Sequence, residues 1–162
     1  MGIQTVQIDY YLYPGLIFAQ KEACIITTVL GSCISVCLWD PVSKTGGINH
    51  YMLPLWNGEG LPSPKYGNIA IRKLIEKMLT LGCQKENLQA KVFGGGAVLE
   101  TSSGLLNIGE RNIMLAEDML GDVNIPIISK GVGGNHGRKL IFFTGTGEVL
   151  VKKIRQTMEN RK

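Results

Sequence analysis

With 162 residues, 44% of them hydrophobic and 19% charged, the chain has the size and composition of one folded domain and not those of a disordered segment. The net charge of +4 comes from 17 basic and 13 acidic residues, dispersed except for a basic tail (Lys152, Lys153, Arg155, Arg161, Lys162), and with 7% aromatic residues no clustered, stacking nucleic-acid surface is expected. Neither a signal-peptide pattern nor an apolar run of the roughly 20 residues needed to span a bilayer is present, so the sequence predicts a cytoplasmic protein without membrane insertion, whose cysteines are reduced thiols.

In chain order, Ile3 to Tyr13 alternates loosely up to a Pro14-Gly15 turn and reads as a strand or extended lead-in. After the apolar Leu16 to Phe18, a strand is predicted over Ala23 to Leu30, ending at Gly31. Ile34 to Trp39 is apolar at almost every position, as in a strand covered on both faces, and Asp40-Pro41 stops it. Gly46-Gly47 opens a return strand, Ile48 to Leu53, which Pro54 closes. Trp56 to Lys65 is a Gly- and Pro-rich surface loop, placed to form a rim beside His50. A helix follows, with Ile69, Leu74, Ile75, Met78 and Leu79 on one face, Arg72, Lys73 and Glu76 on the other, and Gly82 as the stop. Lys91 to Phe93 is a short strand running into Gly94-Gly95-Gly96. Asn107 to Gly121 is a second helix with Ile113, Ala116, Met119 and Leu120 inward. Val123 to Ser129 is a strand that Pro126 assigns to a sheet edge, and Leu140 to Thr144 with Val149 to Ile154 form a hairpin about Gly145-Thr146-Gly147. Without repeats or linkers, residues 1–162 read as a single α+β domain.

The stretch from Leu30 to Pro54 carries a thiol and an imidazole on neighbouring strands. Cys33 follows Gly31-Ser32 at a strand end, where a nucleophile is exposed and main-chain N–H groups can hold an oxyanion. The alternative is a small buried hydrophobe, the usual fate of a free cysteine. Cys24 and Cys37 lie inside strands and read as core, and Cys83 follows the stop of the first helix. The cysteine spacings do not match the paired C-x-x-C of zinc modules, and the glycine loops lack the phosphate-binding patterns, so no metal or cofactor site is predicted. His50, flanked on its face by Ile48 and Met52, is either a desolvated neutral base or a core histidine bonded to backbone. His136 lies in a glycine-rich loop and is expected to be exposed. A tight turn centred on Pro41 and Val42 would set Cys33 opposite His50, whereas a wider loop would move His50 toward Val36 or Cys37. A third residue would orient the imidazole. Thr27 lies close enough in sequence, and Thr28 is expected to point to the opposite face.

Several blocks occur together: LGSC at Leu30 to Cys33, the Asp40-Pro41 turn, the Gly-x-x-His-x-Met-Leu-Pro return at Gly47 to Pro54, KVFGGGA at Lys91 to Ala97, and GGNHGRK at Gly133 to Lys139. In this order they resemble the chemoreceptor glutamine deamidases of bacterial and archaeal chemotaxis, the CheD family, over about Pro14 to Ile154. The resemblance implies a β-sandwich-like core of mixed and antiparallel strands flanked by helices, similar to cysteine-hydrolase deamidase toxins. It implies a catalytic set at Cys33, His50 and Thr27, the last six residues before the cysteine, and no cofactor. It also implies substrate glutamines on the cytoplasmic helices of methyl-accepting chemotaxis receptors and a CheC-type phosphatase as a further partner. Asn68 and Gly131 depart from the family pattern outside the catalytic positions. A non-catalytic adaptor of the same fold, binding receptors or such a phosphatase, is the alternative.

Overall fold

A computed structural model of the chain describes residues 8–97 and 107–155. The start of the lead-in at Ile3 and the tail residues Arg161 and Lys162 lie outside the described residues.

Among the described residues nine strands form two sheets. The first contains β1 (Ile8–Tyr11), β3 (Cys24–Leu30), β8 (Gly137–Phe143) and β9 (Val149–Ile154), in the order β1-β3-β8-β9. The second contains β2 (Ile17–Gln20), β5 (Thr45–Asn49), β4 (Ile34–Asp40), β6 (Gln89–Gly94) and β7 (Ile127–Val132), in the order β2-β5-β4-β6-β7. Neighbours are antiparallel except β1 with β3 and β6 with β7. Two helices, α1 (Gly67–Thr80) and α2 (Ile108–Asp122), cover the outer face of the five-stranded sheet. The fold is therefore α+β, with the two sheets packed face to face and a helical layer on one side.

Two apolar clusters follow from this layering. Between the sheets lie Ile26 and Leu30 of β3, Leu140 and Phe142 of β8, Cys37, Ile48 and Phe93. Between the five-stranded sheet and the helices lie Ile34, Val36, Leu38, Ala90 and Val92, packed on Ala70, Ile71, Leu74, Met78, Ala116 and Leu120. Strand β4 contributes to both clusters, which explains its unbroken apolar run. Each Ile or Leu that it buries fully contributes about 1.5–3 kcal/mol of transfer free energy. Asn107 caps α2 by accepting a hydrogen bond from the Glu110 N–H at 2.8 Å.

Three sequence expectations need correction. The return strand is Thr45–Asn49 and not Ile48 to Leu53, because Gly46 and Gly47 pair with Trp39 and Leu38 inside the ladder. The chain reverses over residues 41–44 instead, with Lys44 in the left-handed region at φ 52°. The edge strand begins at Ile127, after Pro126, and pairs in parallel with β6. Finally, β8 starts at Gly137, so the end of the glycine-rich GGNHGRK block is strand and Arg138 is buried in it.

Candidate active site

Cys33 occupies the turn between β3 and β4 and is the one cysteine of four that is not buried. Its turn is held from outside by main-chain bonds: Gly96 N–H donates to Gly31 C=O and Gly95 N–H to Cys33 C=O, both at 2.9 Å. Gly94 makes that approach possible. Its φ is +109°, and a Cβ there would lie 2.1 Å from the Cys33 carbonyl oxygen. Gly109 does the same for the helix, since a Cβ on it would meet the Gly95 carbonyl at 2.4 Å. Arg138 completes the support, donating to Gly133 C=O at 2.7 Å and to Gly94 C=O at 3.4 Å. The FGGGA and GGNHGRK blocks thus form the platform under the Cys33 turn.

His50 follows β5 directly and is 2% exposed. The turn after β1 grips it on both sides: its N–H donates to Leu16 C=O at 3.2 Å, and its C=O accepts from Gly15 N–H at 2.8 Å. Cys37 pairs with Ile48 and Ile34 bridges to Tyr51, so Ser35 falls opposite His50. This differs from both expected registers. The four-residue reversal sets Cys33 one diagonal step from His50 on the same face, where Cβ atoms are typically about 7 Å apart. No hydrogen bond joins the two in the resting site, because His50 Nε2 is buried without any partner.

The imidazole is oriented by Thr28. Thr28 Oγ1 lies 2.7 Å from His50 Nδ1 and donates to Leu12 C=O at 2.7 Å. A hydroxyl has one proton, and a carbonyl can only accept. The proton therefore goes to Leu12, Oγ1 accepts from Nδ1–H, and Nε2 keeps its lone pair. Burial holds the imidazole's pKa down at about 4, so His50 is neutral near pH 7, with its basic nitrogen free. Burial also raises the Cys33 thiol, partly opposed by the residue's own N–H. The resting pair is thus a neutral thiol and a neutral imidazole.

The expected orienting residue, Thr27, is not brought to the site. In β3 the side chains of Cys24, Ile26, Thr28 and Leu30 turn inward, while Thr27 is half-buried on the outer face. Both faces of β3 carry apolar residues, so the sequence pattern concealed which one is inside.

Two further polar residues escaped the sequence reading. The Ser35 hydroxyl, opposite His50, is buried and unpartnered. Asn112, 0% exposed on α2, donates from Nδ2 to Ser32 C=O and to Met52 C=O, both at 3.0 Å. Since both neighbours are acceptors, the nitrogen must face them. An Asn in register with Gly109, Ala116 and Leu120 on the buried face of α2 was the available signal. The Trp56 to Lys65 loop is pinned beside the site where Met52 N–H donates to Lys65 C=O at 2.8 Å, and Asn68 Oδ1 accepts from the Trp56 N–H at 3.0 Å.

The other thiols lack this setting. Cys24 and Cys37 are core residues, and Cys83 is buried near Ser43. Among the described residues no group of three or more His, Cys, Asp and Glu side chains is placed to hold a metal ion. A cavity of about 170 Å³, lined by Cys37, Trp39, Lys91 and Phe142 among others, contains no histidine. Burial also pushes the Cys37 thiol far up.

Residues 52–153 match the family described as CheD chemotactic sensory transduction. The chain is similar to a probable chemoreceptor glutamine deamidase CheD of Trichlorobacter lovleyi, 53% identical over 147 residues that cover 91% of each chain. It is 44% identical over 149 residues to one from Sulfurimonas denitrificans, covering 91% of this chain and 95% of that one. It is 42% identical over 144 residues to a probable chemoreceptor glutamine deamidase CheD 1 of Anaeromyxobacter dehalogenans, covering 89% and 84%.

Proposed function

Because the chain belongs to the CheD family, we propose that it is a chemoreceptor glutamine deamidase, a hydrolase that converts glutamine side chains to glutamate with release of ammonia. The observation that carries this reading is the half-exposed Cys33 thiol one diagonal step from an imidazole whose Nε2 is unprotonated and unpartnered.

In the proposed cycle His50 Nε2 takes the Cys33 proton and the thiolate attacks the carbon of the glutamine carboxamide, with the carbonyl oxygen becoming an oxyanion. Collapse of this intermediate breaks the C–N bond, and the imidazolium gives its proton to the departing nitrogen, which leaves as ammonia. Water, deprotonated by the same Nε2, then hydrolyses the thioester. This releases glutamate, and the imidazolium returns its proton to the departing thiolate, regenerating the free thiol. Thr28, accepting from Nδ1–H throughout, keeps Nε2 as the working nitrogen and stabilises the imidazolium when it forms. In this reading the substrate glutamines lie on the cytoplasmic helices of methyl-accepting receptors, the protein acts in the cytoplasm, and a CheC-type phosphatase is proposed as a further partner. No helix among the described residues is long and apolar enough to cross a membrane.

The test is incubation with a receptor cytoplasmic fragment, reading ammonia release and intact mass. Conversion of amide to acid in wild type, lost in a Cys33→Ser protein that remains folded, is the expected result. Full activity in that variant would refute the assignment, and a conjugate in place of the acid would make the enzyme a transamidase.

A further inference from the structure

A carbonyl oxygen attacked by Cys33 needs hydrogen-bond donors that are in place before the charge develops. Two main-chain N–H groups beside the thiol, those of Ser32 and Cys33, have no acceptor among the described residues outside their own turn. Their directions are set from the other side of their peptide planes. Described peptide bonds are trans, so each N–H points opposite to the C=O of the same unit. Gly31 C=O is bound by Gly96 N–H at 2.9 Å, which turns the Ser32 N–H away from Gly96. Ser32 C=O is bound by Asn112 Nδ2 at 3.0 Å, which turns the Cys33 N–H away from α2. That N–H belongs to the nucleophilic residue itself and, with no acceptor of its own among the described residues, is left free for the oxygen of a carbonyl under attack by Sγ.

Asn112 does more than hold one carbonyl. Its second amide hydrogen goes to Met52 C=O at 3.0 Å, two residues past His50, so one nitrogen ties the nucleophile's turn to the segment carrying the base. The Tyr51 hydroxyl donates to the Asn112 main-chain carbonyl and fixes the helix turn to the same segment. Asn112 Oδ1 is itself buried without a partner, an arrangement that lowers the net stabilisation the side chain can provide. Placement of two main-chain segments accounts for the residue better than stability does.

We infer that Asn112 is a positioning residue that aims the Cys33 N–H at the oxyanion of the attacked glutamine and fixes the Cys33 turn against the His50 segment. This rests on the deamidase reading of Cys33 and His50. It requires that loss of Asn112 impair the step that builds an oxyanion while sparing reactions of the thiol that build none.

The experiment compares wild type, Asn112→Ala and Asn112→Ser in the full chain. It measures steady-state ammonia release from a receptor fragment, alkylation of Cys33 by iodoacetamide, and thermal unfolding. For Asn112→Ala, kcat should fall about 10²-fold with KM and the alkylation rate each within about threefold of wild type. Asn112→Ser, which keeps a hydroxyl donor for one carbonyl, should be intermediate. Two results overturn the inference: kcat within threefold of wild type, or kcat and alkylation falling in parallel, which is the mark of general disruption. Where Asn112→Ala does not fold, the same comparison in Asn112→Ser decides. A wild-type protein that releases no ammonia overturns the deamidase reading and this inference with it, whereas an active wild type with an unimpaired Asn112→Ala overturns the positioning role alone.

Discussion

Thr28→Val is the most discriminating substitution in the site, because valine keeps the shape of threonine and removes only the hydroxyl. That hydroxyl makes two bonds of 2.7 Å, one to Leu12 C=O and one to His50 Nδ1. Without it a buried acceptor and a buried donor lose their partners, each worth about 1–3 kcal/mol. The methyl group gained offsets part of this, by about 0.8 kcal/mol, so the expected loss of stability is about 1–5 kcal/mol. The catalytic loss has a separate origin. With no acceptor at Nδ1, the proton is no longer held on that nitrogen, and the fraction of imidazole with a free Nε2 falls along with its orientation. A decrease in kcat on the order of 10- to 100-fold is expected. Thr28→Ser, which restores both bonds, should stay within about threefold of wild type, and Thr27→Val should change stability by less than about 0.5 kcal/mol and leave activity intact. The assays are ammonia release, denaturant unfolding and ¹⁵N NMR of the imidazoles, which is tractable because the chain has only two histidines. Loss of activity in Thr27→Val with retention in Thr28→Val would refute the orienting role, as would an Nε2-protonated His50 in the wild-type spectrum.

The pH dependence should follow the buried imidazole: the acid limb of kcat/KM lies near pH 4, where His50 gains its proton, and not near the ordinary 6.5. Iodoacetamide labelling of Cys33 should keep rising into the alkaline range, since burial raises the thiol; a labelling plateau below pH 7 would instead reveal a preformed thiolate–imidazolium pair. Between pH 6.5 and about 4 the unfolded chain binds a proton at His50 that the folded protein does not, so stability falls as pH drops through this window, by about 3 kcal/mol. A His50→Gln protein should lack that component in denaturant titrations. Gly94→Ala should lower stability by about 2–4 kcal/mol through the forced left-handed φ and the contact with Cys33 C=O, and slow Cys33 alkylation. Wild-type unfolding and labelling in that variant would remove Gly94 from the account of the turn.

Much of this site is legible in the chain because it depends on residue type. The turn Gly31-Ser32-Cys33 and the histidine of the return segment announce a thiol and a base, and the solid apolar run of β4 announces a strand between two layers. What stayed hidden depends on single-residue geometry. The reversal over residues 41–44, with Lys44 left-handed, sets a register that Asp40-Pro41 and Gly46-Gly47 allow but do not dictate, and it puts Ser35 rather than Cys33 opposite His50. The choice between Thr27 and Thr28 turns on the parity of β3, which Ile25, Ile26, Val29 and Leu30 obscure by placing apolar groups on both faces. Asn112 was passed over because a polar residue in an amphipathic helix is ordinarily assigned to solvent. Its inward position appears only when Gly109, Ala116 and Leu120 are read as the same stripe.

The Leu12 carbonyl has an unusual standing among these groups. It receives the Thr28 proton and so decides, one bond removed, which nitrogen of His50 is basic. Being main chain, it is supplied by whatever amino acid stands at position 12, and no side-chain replacement there deletes it. Scanning mutagenesis is therefore blind to it, and so is any comparison of residue types. Trimming of the amino-terminal strand, or a shift of β1 along β3 by one residue, would reach it directly. The exposed segment Ile8–Tyr11 thus holds in place the residue that sets the proton state of an imidazole on the opposite sheet, and a deletion there would look like an active-site lesion with every catalytic side chain still in place.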